Sequence, residues 1–386
     1  MAIPHGLFLD VSCLCEEHTN RAIEGIYKAI GDDPPGDGIW DEHPSPFIRR
    51  LVELFTDRGL TRIAGLQEEL NAWLAGAEFR EGLERAARPD GAMLRWNRAE
   101  LGTARLYLSH LPPEAWTLED WLLLVDYLVQ RYLPEGDLRS EASWLAQRAG
   151  LAGRLQAAHA ALSAAEIDAI MQAVPDLGAM GPAPTPEFEA AARFGRERAC
   201  ENVVQLSDNI RHRMRRLVVD YQEAVYTGDR AGAAESLQGR LLDEFGTMNR
   251  DWRRIAITES TEMLDQGFVA SIPEGGKIKR VERYNGACPF CRKIDGTVMT
   301  VVPADKPDKD GETEVWVGKT NQGRSASPRK RSADGLVDRD PQERWWIAAG
   351  TMHPHCRGTW VRVSEASPDP EFDAWIASMK RSRSAS

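Results

Sequence analysis

The chain has 386 residues, 42% hydrophobic and 28% charged, with a formal net charge of −11. That length suits two or three domains, and the apolar fraction is ordinary for a soluble globular protein. No apolar run approaches the roughly 18–20 residues that span a bilayer, so no membrane partner is expected. No basic region followed by an apolar stretch opens the chain, so no secretory leader is expected either. Six cysteines, three of them in one C-terminal pattern, suit a reducing compartment better than a disulfide scaffold. Cytosolic synthesis is the default.

Charge is unevenly spread. Residues 1–190 hold 16 Lys and Arg against 30 Asp and Glu, while residues 191–386 hold 32 against 29. The front half should avoid nucleic acid, and the back half is compatible with it.

Residues 1–174 read as a helical domain. Thr117-Leu118-Glu119-Asp120 predicts an N-cap opening a helix to about Tyr132, and Ser163-Ala164-Ala165-Glu166 repeats that capping logic for a helix ending before Pro175. Leu66, Leu70, Trp73 and Leu74 recur at helical spacing. Pro/Gly clusters break the pattern at 32–36 and 111–113. Residues 175–186 read as a linker. Residues 187–270 read as a long helical hairpin region, with the stripe Val203, Leu206, Ile210, Met214, Leu217, Tyr221 and Val225 in its first helix. Arg211, Arg213, Arg215 and Arg216 flank that stripe, as a solvated face or a contact with nucleic acid or an acidic partner. A turn at Gly228-Asp229 leads to a second helix, and a third runs from about Thr247 to Gly267.

After Gly267 the period changes. Residues 277–284 alternate roughly as a strand does, and 298–302 and 359–363 are further strand candidates. They frame an α+β module at 271–365, whose core is expected to be too thin to stand without an ion. Within it, residues 303–340 are polar and form a loop excursion. Lys319, Arg324, Arg329, Lys330 and Arg331 concentrate positive charge there as a candidate DNA contact. Residues 366–386 form a basic tail.

The chemistry lies in Cys288-Pro289-Phe290-Cys291, answered 61 residues later (292–352) by His353-Pro354-His355-Cys356-Arg357-Gly358. C-x-x-C places two thiols on one turn, and a thiol with an imidazole completes the tetrahedral donor set that Zn²⁺ takes. Four protein ligands close such a site, which makes it structural. The alternative is a set of unrelated reduced cysteines. Cys288, Cys291, His353 and Cys356 are the expected ligands. His355 competes with His353, but H-x-x-C mirrors C-x-x-C whereas His355 abuts Cys356. Cys13, Cys15 and His18 do not share one helical face, so a second metal site is not expected there. Thr258 and Glu259 read as a helix-embedded polar pair making local hydrogen bonds.

The order of Arg253-Arg254-Ile255-Ala256-Ile257-Thr258-Glu259, then the C-x-x-C pair with Asp295-Gly296, then the His-Pro-His-Cys-Arg-Gly run resembles the head morphogenesis (minor capsid) proteins of tailed bacteriophages, the Mu-type group. The resemblance covers roughly residues 195–363. Members often end the last motif in Cys-Arg-Cys, whereas Gly358 stands here, which makes a histidine ligand necessary. The resemblance implies a non-enzymatic virion component at the portal vertex or capsid interior. Portal protein, major capsid protein and packaged double-stranded DNA would be its partners.

The expected fold class is mainly α, with a small C-terminal α+β zinc-binding module. The competing reading is a zinc-braced nuclease of HNH type or another DNA-processing enzyme. Such nucleases introduce their base with an Asp-His pair, which this chain lacks, and Asp295, Asp334 and Asp338 are scattered over loops. A zinc-ribbon DNA regulator would need a recognition helix that the sequence does not suggest.

Overall fold

The computed structural model describes residues 43–82, 88, 96–158, 185–228, 230–284, 286–332, 335–363, 371 and 374. Cys13, Cys15 and His18, the Ser163–Glu166 capping box, nearly all of the 175–186 linker, Asp334 and nearly all of the basic tail lie outside the described residues. The helices are α1 (Pro46–Leu74), α2 (Arg98–Leu108), α3 (Leu118–Tyr132), α4 (Glu135–Ala157), α5 (Pro186–Tyr226), α6 (Arg230–Ala270) and the short α7 (Pro289–Ile294). The strands are β1 (Lys277–Val281), β2 (Val298–Val301), β3 (Glu314–Val315), β4 (Arg329–Ser332), β5 (Gly335–Asp338) and β6 (Thr359–Arg362). The protein is thus mainly helical with a small C-terminal sheet region and a Cys/His cluster able to hold a metal ion.

The chain forms two compact units. Among the described residues, one takes those of 56–135 and 205–252; the other takes those of 43–55, 136–204 and 253–374. In the first unit, Thr117 caps α3: its Oγ accepts from the Asp120 N–H at 3.4 Å, and the Asp120 carboxylate accepts from the Thr117 N–H at 2.9 Å. Leu66, Leu70 and Trp73 are buried as their spacing predicts, and Trp73, Trp116, Trp121 and Tyr221 pack ring against ring. The Arg cluster of α5 finds its acidic partners inside this unit. Arg211 and Arg215 both pair with the buried Asp126, at 2.7 and 2.6 Å, and Arg213 pairs with Glu244 and Asp251. Of the four arginines, Arg216 is the exposed one.

One 41-residue helix, α6, replaces the two helices expected between 230 and 270. Gly246 and Thr247 look like a break, but Phe245 and Met248 on either side are buried, and the Thr247 hydroxyl donates back to the Asp243 carbonyl at 3.0 Å instead of capping a new helix. Burial of the flanking side chains outweighs a helical glycine's cost of about 1 kcal/mol.

In the second unit, α4 and the end of α6 touch backbone to backbone. A β-carbon on Gly153 would overlap the Leu264 carbonyl, and one on Gly267 would overlap the Gly150 carbonyl. The sheet order is β3-β2-β1-β6, with β1 antiparallel to both neighbours and β2 parallel to β3. Ile278, Met299, Val301, Val315 and Trp360 form one core with Ala157 of α4 and Phe268 and Val269 of α6. The sheet core is therefore not the thin one the sequence predicts, because helices outside 271–365 complete it. Residues 303–340 are not simply a loop: they hold β3 and the β4–β5 hairpin.

Candidate metal centre

Cys288 is the N-cap of α7, and its sulfur accepts from the Cys291 N–H at 3.4 Å. Pro289 at the first helical position has no N–H to satisfy there, so the Cys-Pro-x-Cys order folds directly into one tight helical turn. Two bonds lock the base of this turn to β1. The Asp295 carboxylate accepts from the Glu282 N–H at 3.0 Å, and the Gly296 N–H, at a φ of 81°, donates to the Arg280 carbonyl at 2.8 Å. The Glu282 N–H and Arg283 thereby hold the Asp295 carboxyl below its ordinary pKa.

The second half-site meets the first. His353 Nε2 lies 3.3 Å from Cys291 Sγ, and its ring stacks on Trp345 at 5.6 Å. Its Nδ1 is 2.7 Å from the Pro354 carbonyl. A carbonyl oxygen only accepts, so Nδ1 carries the proton and Nε2 turns its lone pair toward the cysteines, the arrangement metal-bound histidines use. Ligand atoms of Cys288, Cys291 and His353 lie within 4.8 Å of one another, and so do those of Glu282, Cys291 and Cys356. Cys288, Cys291, His353 and Cys356 are therefore placed where they could hold a metal ion. Ala287, Ile294, Ala348 and Met352 pack around Cys291 and Cys356 in one buried cluster.

His355 is turned away from this set. At a φ of 68° it gives its N–H to Thr258 Oγ at 3.1 Å, and its Nε2 accepts from Arg254 Nε at 2.9 Å. Thr258 also donates to the Arg254 carbonyl, the local bond its helical position predicts. Glu259 reaches further. Its carboxylate accepts from Arg198 at 3.1 Å and Asn202 at 2.8 Å, both on α5. Burial raises the Glu259 pKa against the pull of Arg198.

Sequence reasoning missed the charges beneath the cysteines. Arg280 is fully buried. It donates to Glu282 at 2.6 Å and Asp265 at 2.7 Å, its Nη2 lies 3.6 Å from Cys356 Sγ, and it stacks over Trp360. Burial pushes Asp265 and Glu282 upward in pKa despite that guanidinium. Burial alone would raise the Cys356 thiol too, but the hydrogen bond with Cys291 and the Arg280 charge hold it well below the usual thiol range. A signal for this did exist: Ile278, Arg280 and Glu282 share one face of a period-two run, which places two charges on the core side.

The five basic residues of 303–340 do not form one surface. Lys319 is buried, with its ammonium donating to the Gly311 and Glu314 carbonyls at 2.7 and 2.8 Å, between the rings of Trp316 and Trp346. This corrects the expectation that Lys319 meets DNA, because no phosphate can reach an ammonium enclosed by two indoles. Arg324 stacks on Trp346 at 3.5 Å and donates to the Arg344 carbonyl. Arg329 pairs with Asp338 and Lys330 with Glu343, while Arg331 is exposed on the same strand. Asp338 is thus engaged by an arginine of its own hairpin.

No described helix is long and apolar enough to cross a membrane. Comparisons with protein-family models, curated proteins and solved structures find no match to this chain.

Proposed function

We propose that this chain is a structural head-morphogenesis protein of a tailed bacteriophage, stabilised by one zinc ion and carrying no catalytic step. It would be made in the host cytoplasm and enter the virion at the portal vertex or capsid interior. The portal and major capsid proteins would be its protein partners, with packaged double-stranded DNA within reach of Arg329, Lys330 and Arg331.

One observation carries the reading. The three sequence landmarks that resemble the minor capsid family converge on one place: the 253–259 run of α6 binds His355, and the His-x-x-Cys segment lies against the Cys-x-x-Cys turn. The donor chemistry supports zinc, since three sulfurs and one imidazole are the soft set that this ion prefers among common divalent metals. Residues around a structural ion have only to hold geometry, which fits the close hydrogen bonding of this centre.

The test is co-assembly. The chain expressed with portal and major capsid proteins of a tailed phage should sediment with portal rings or procapsid-sized particles at low copy number. Absence from both particles would overturn the assignment. Cleavage of DNA by pure protein with Mg²⁺ or Mn²⁺, lost on His353→Ala, would favour a nuclease instead.

A further inference from the structure

We infer that Glu282 is a direct ligand of the metal ion, so that the centre is built from five donors in two triads sharing Cys291. The inference rests on the metal-binding reading of the Cys/His cluster and adds a residue to it.

Both Glu282 carboxylate oxygens lie 3.8 Å from Cys356 Sγ, and one of them, with Cys291 Sγ and Cys356 Sγ, forms a group within 4.8 Å. All three residues are buried, Glu282 at 2% exposure and both cysteines at 0%. A carboxylate and a sulfur at that distance, away from water, must share a proton or a cation. Arg280 is the guanidinium bonded to these groups, and it already serves Asp265, Glu282 and Cys356 together. The Arg280 guanidinium faces two carboxylates and the thiols, which leaves negative charge at this place, and a divalent ion held by the same donors offsets part of it.

Backbone geometry also makes room for this carboxylate. A β-carbon on Gly358 would overlap the Glu282 carboxyl group, so the residue two positions beyond Cys356 must be glycine for Glu282 to stand there. Asp295 holds the Glu282 N–H, which fixes the strand end that carries the side chain. Tyr284 OH lies 3.8 Å from Cys356 Sγ as a further polar neighbour. A carboxylate oxygen is an ordinary zinc donor at about 2.0–2.2 Å and can exchange with a water or a histidine more readily than a thiolate can.

X-ray absorption of the zinc-loaded full-length protein reads the donor set without any substitution. Three sulfurs with two lighter donors are expected, changing to three with one in Glu282→Gln. Cobalt loading of Glu282→Cys should add one thiolate to the charge-transfer band. One zinc per chain with three sulfurs and one nitrogen, and identical cobalt spectra in parent and Glu282→Cys, would overturn the role of Glu282 and leave the four-ligand site standing. No metal bound by the parent would overturn both.

Discussion

The Glu262 carboxylate accepts from both the N–H and the hydroxyl of Thr351, at 2.5 and 2.8 Å. Through it, α6 fixes the segment that delivers His353, two residues further on. Gly350 is the complement, since a β-carbon there would overlap the same carboxylate. Gly350→Ala should therefore destabilise the protein by about 1–3 kcal/mol, the usual cost of overpacking. Glu262→Gln should cost less, because both bonds fall on one carboxylate oxygen that an amide oxygen can replace, so that its cost lies in the NH2 group set against Arg198 and Gln266, the donors to the other oxygen. Thermal denaturation of both variants checks the order, and a Gly350→Ala protein as stable as the parent would show that the segment can shift freely.

Metal content separates the two histidines. His353→Ala should lose bound zinc, as should Cys288→Ser, whereas His355→Ala should retain it and lose only the imidazole's bond to Arg254, since the bond to Thr258 comes from the backbone N–H. Elemental mass spectrometry of purified proteins, run beside chelator-treated parent, reads this directly. Loss of the metal should also lower the melting temperature, because binding energy at such sites is folding energy, on the order of 10 kcal/mol for structural zinc. Equal melting of Cys288→Ser and parent would refute a clamp.

Much of this was legible in the residues themselves. The Thr117–Asp120 box, the α5 stripe, buried from Val203 to Leu217, and the three strands follow from local pattern, and the cysteine and histidine spacing brought its half-sites together. Long-range burial was not legible. The 303–340 segment has the composition of a loop, yet Lys319 is enclosed because Trp316 and Trp346 meet around it, 30 positions apart in sequence. Arg211 and Arg215 looked like surface charges because Asp126, their partner, lies more than eighty residues away. Glu282 carried a weaker signal: its period-two spacing from Ile278 and Arg280 puts it on the core side, but nothing in that spacing points to the cysteines it meets.

Lys319 gives a pH signature. Burial lowers its pKa from 10.5 to about 8. The unfolded chain then binds more protons than the folded one between these values, so stability rises with pH across that window and the gain disappears as pH falls through 8. The full effect is on the order of 3 kcal/mol. Lys319→Met keeps the stem between the two indoles and removes the titrating group. Urea denaturation at pH 8 and at pH 10 should show a smaller rise for this variant than for the parent. Equal rises would mean that the ammonium is solvated.

DNA binding, if this chain achieves it through the β4–β5 hairpin, belongs to Arg329, Lys330 and Arg331 rather than to the enclosed Lys319. Arg329 and Lys330 already face carboxylates at 3.2 and 2.6 Å, and these exposed or half-exposed pairs are weak enough to exchange for phosphate. Removing one cation that neutralises a phosphate should reduce the slope of log affinity against log salt by about 0.9. Replacing all three by Gln should therefore flatten that slope by up to about 3 on duplex DNA of mixed sequence. Replacing Asp338 and Glu343 by their amides should strengthen binding and steepen the slope, because it releases the same cations. A slope unchanged in both variants removes the hairpin from any nucleic-acid interface.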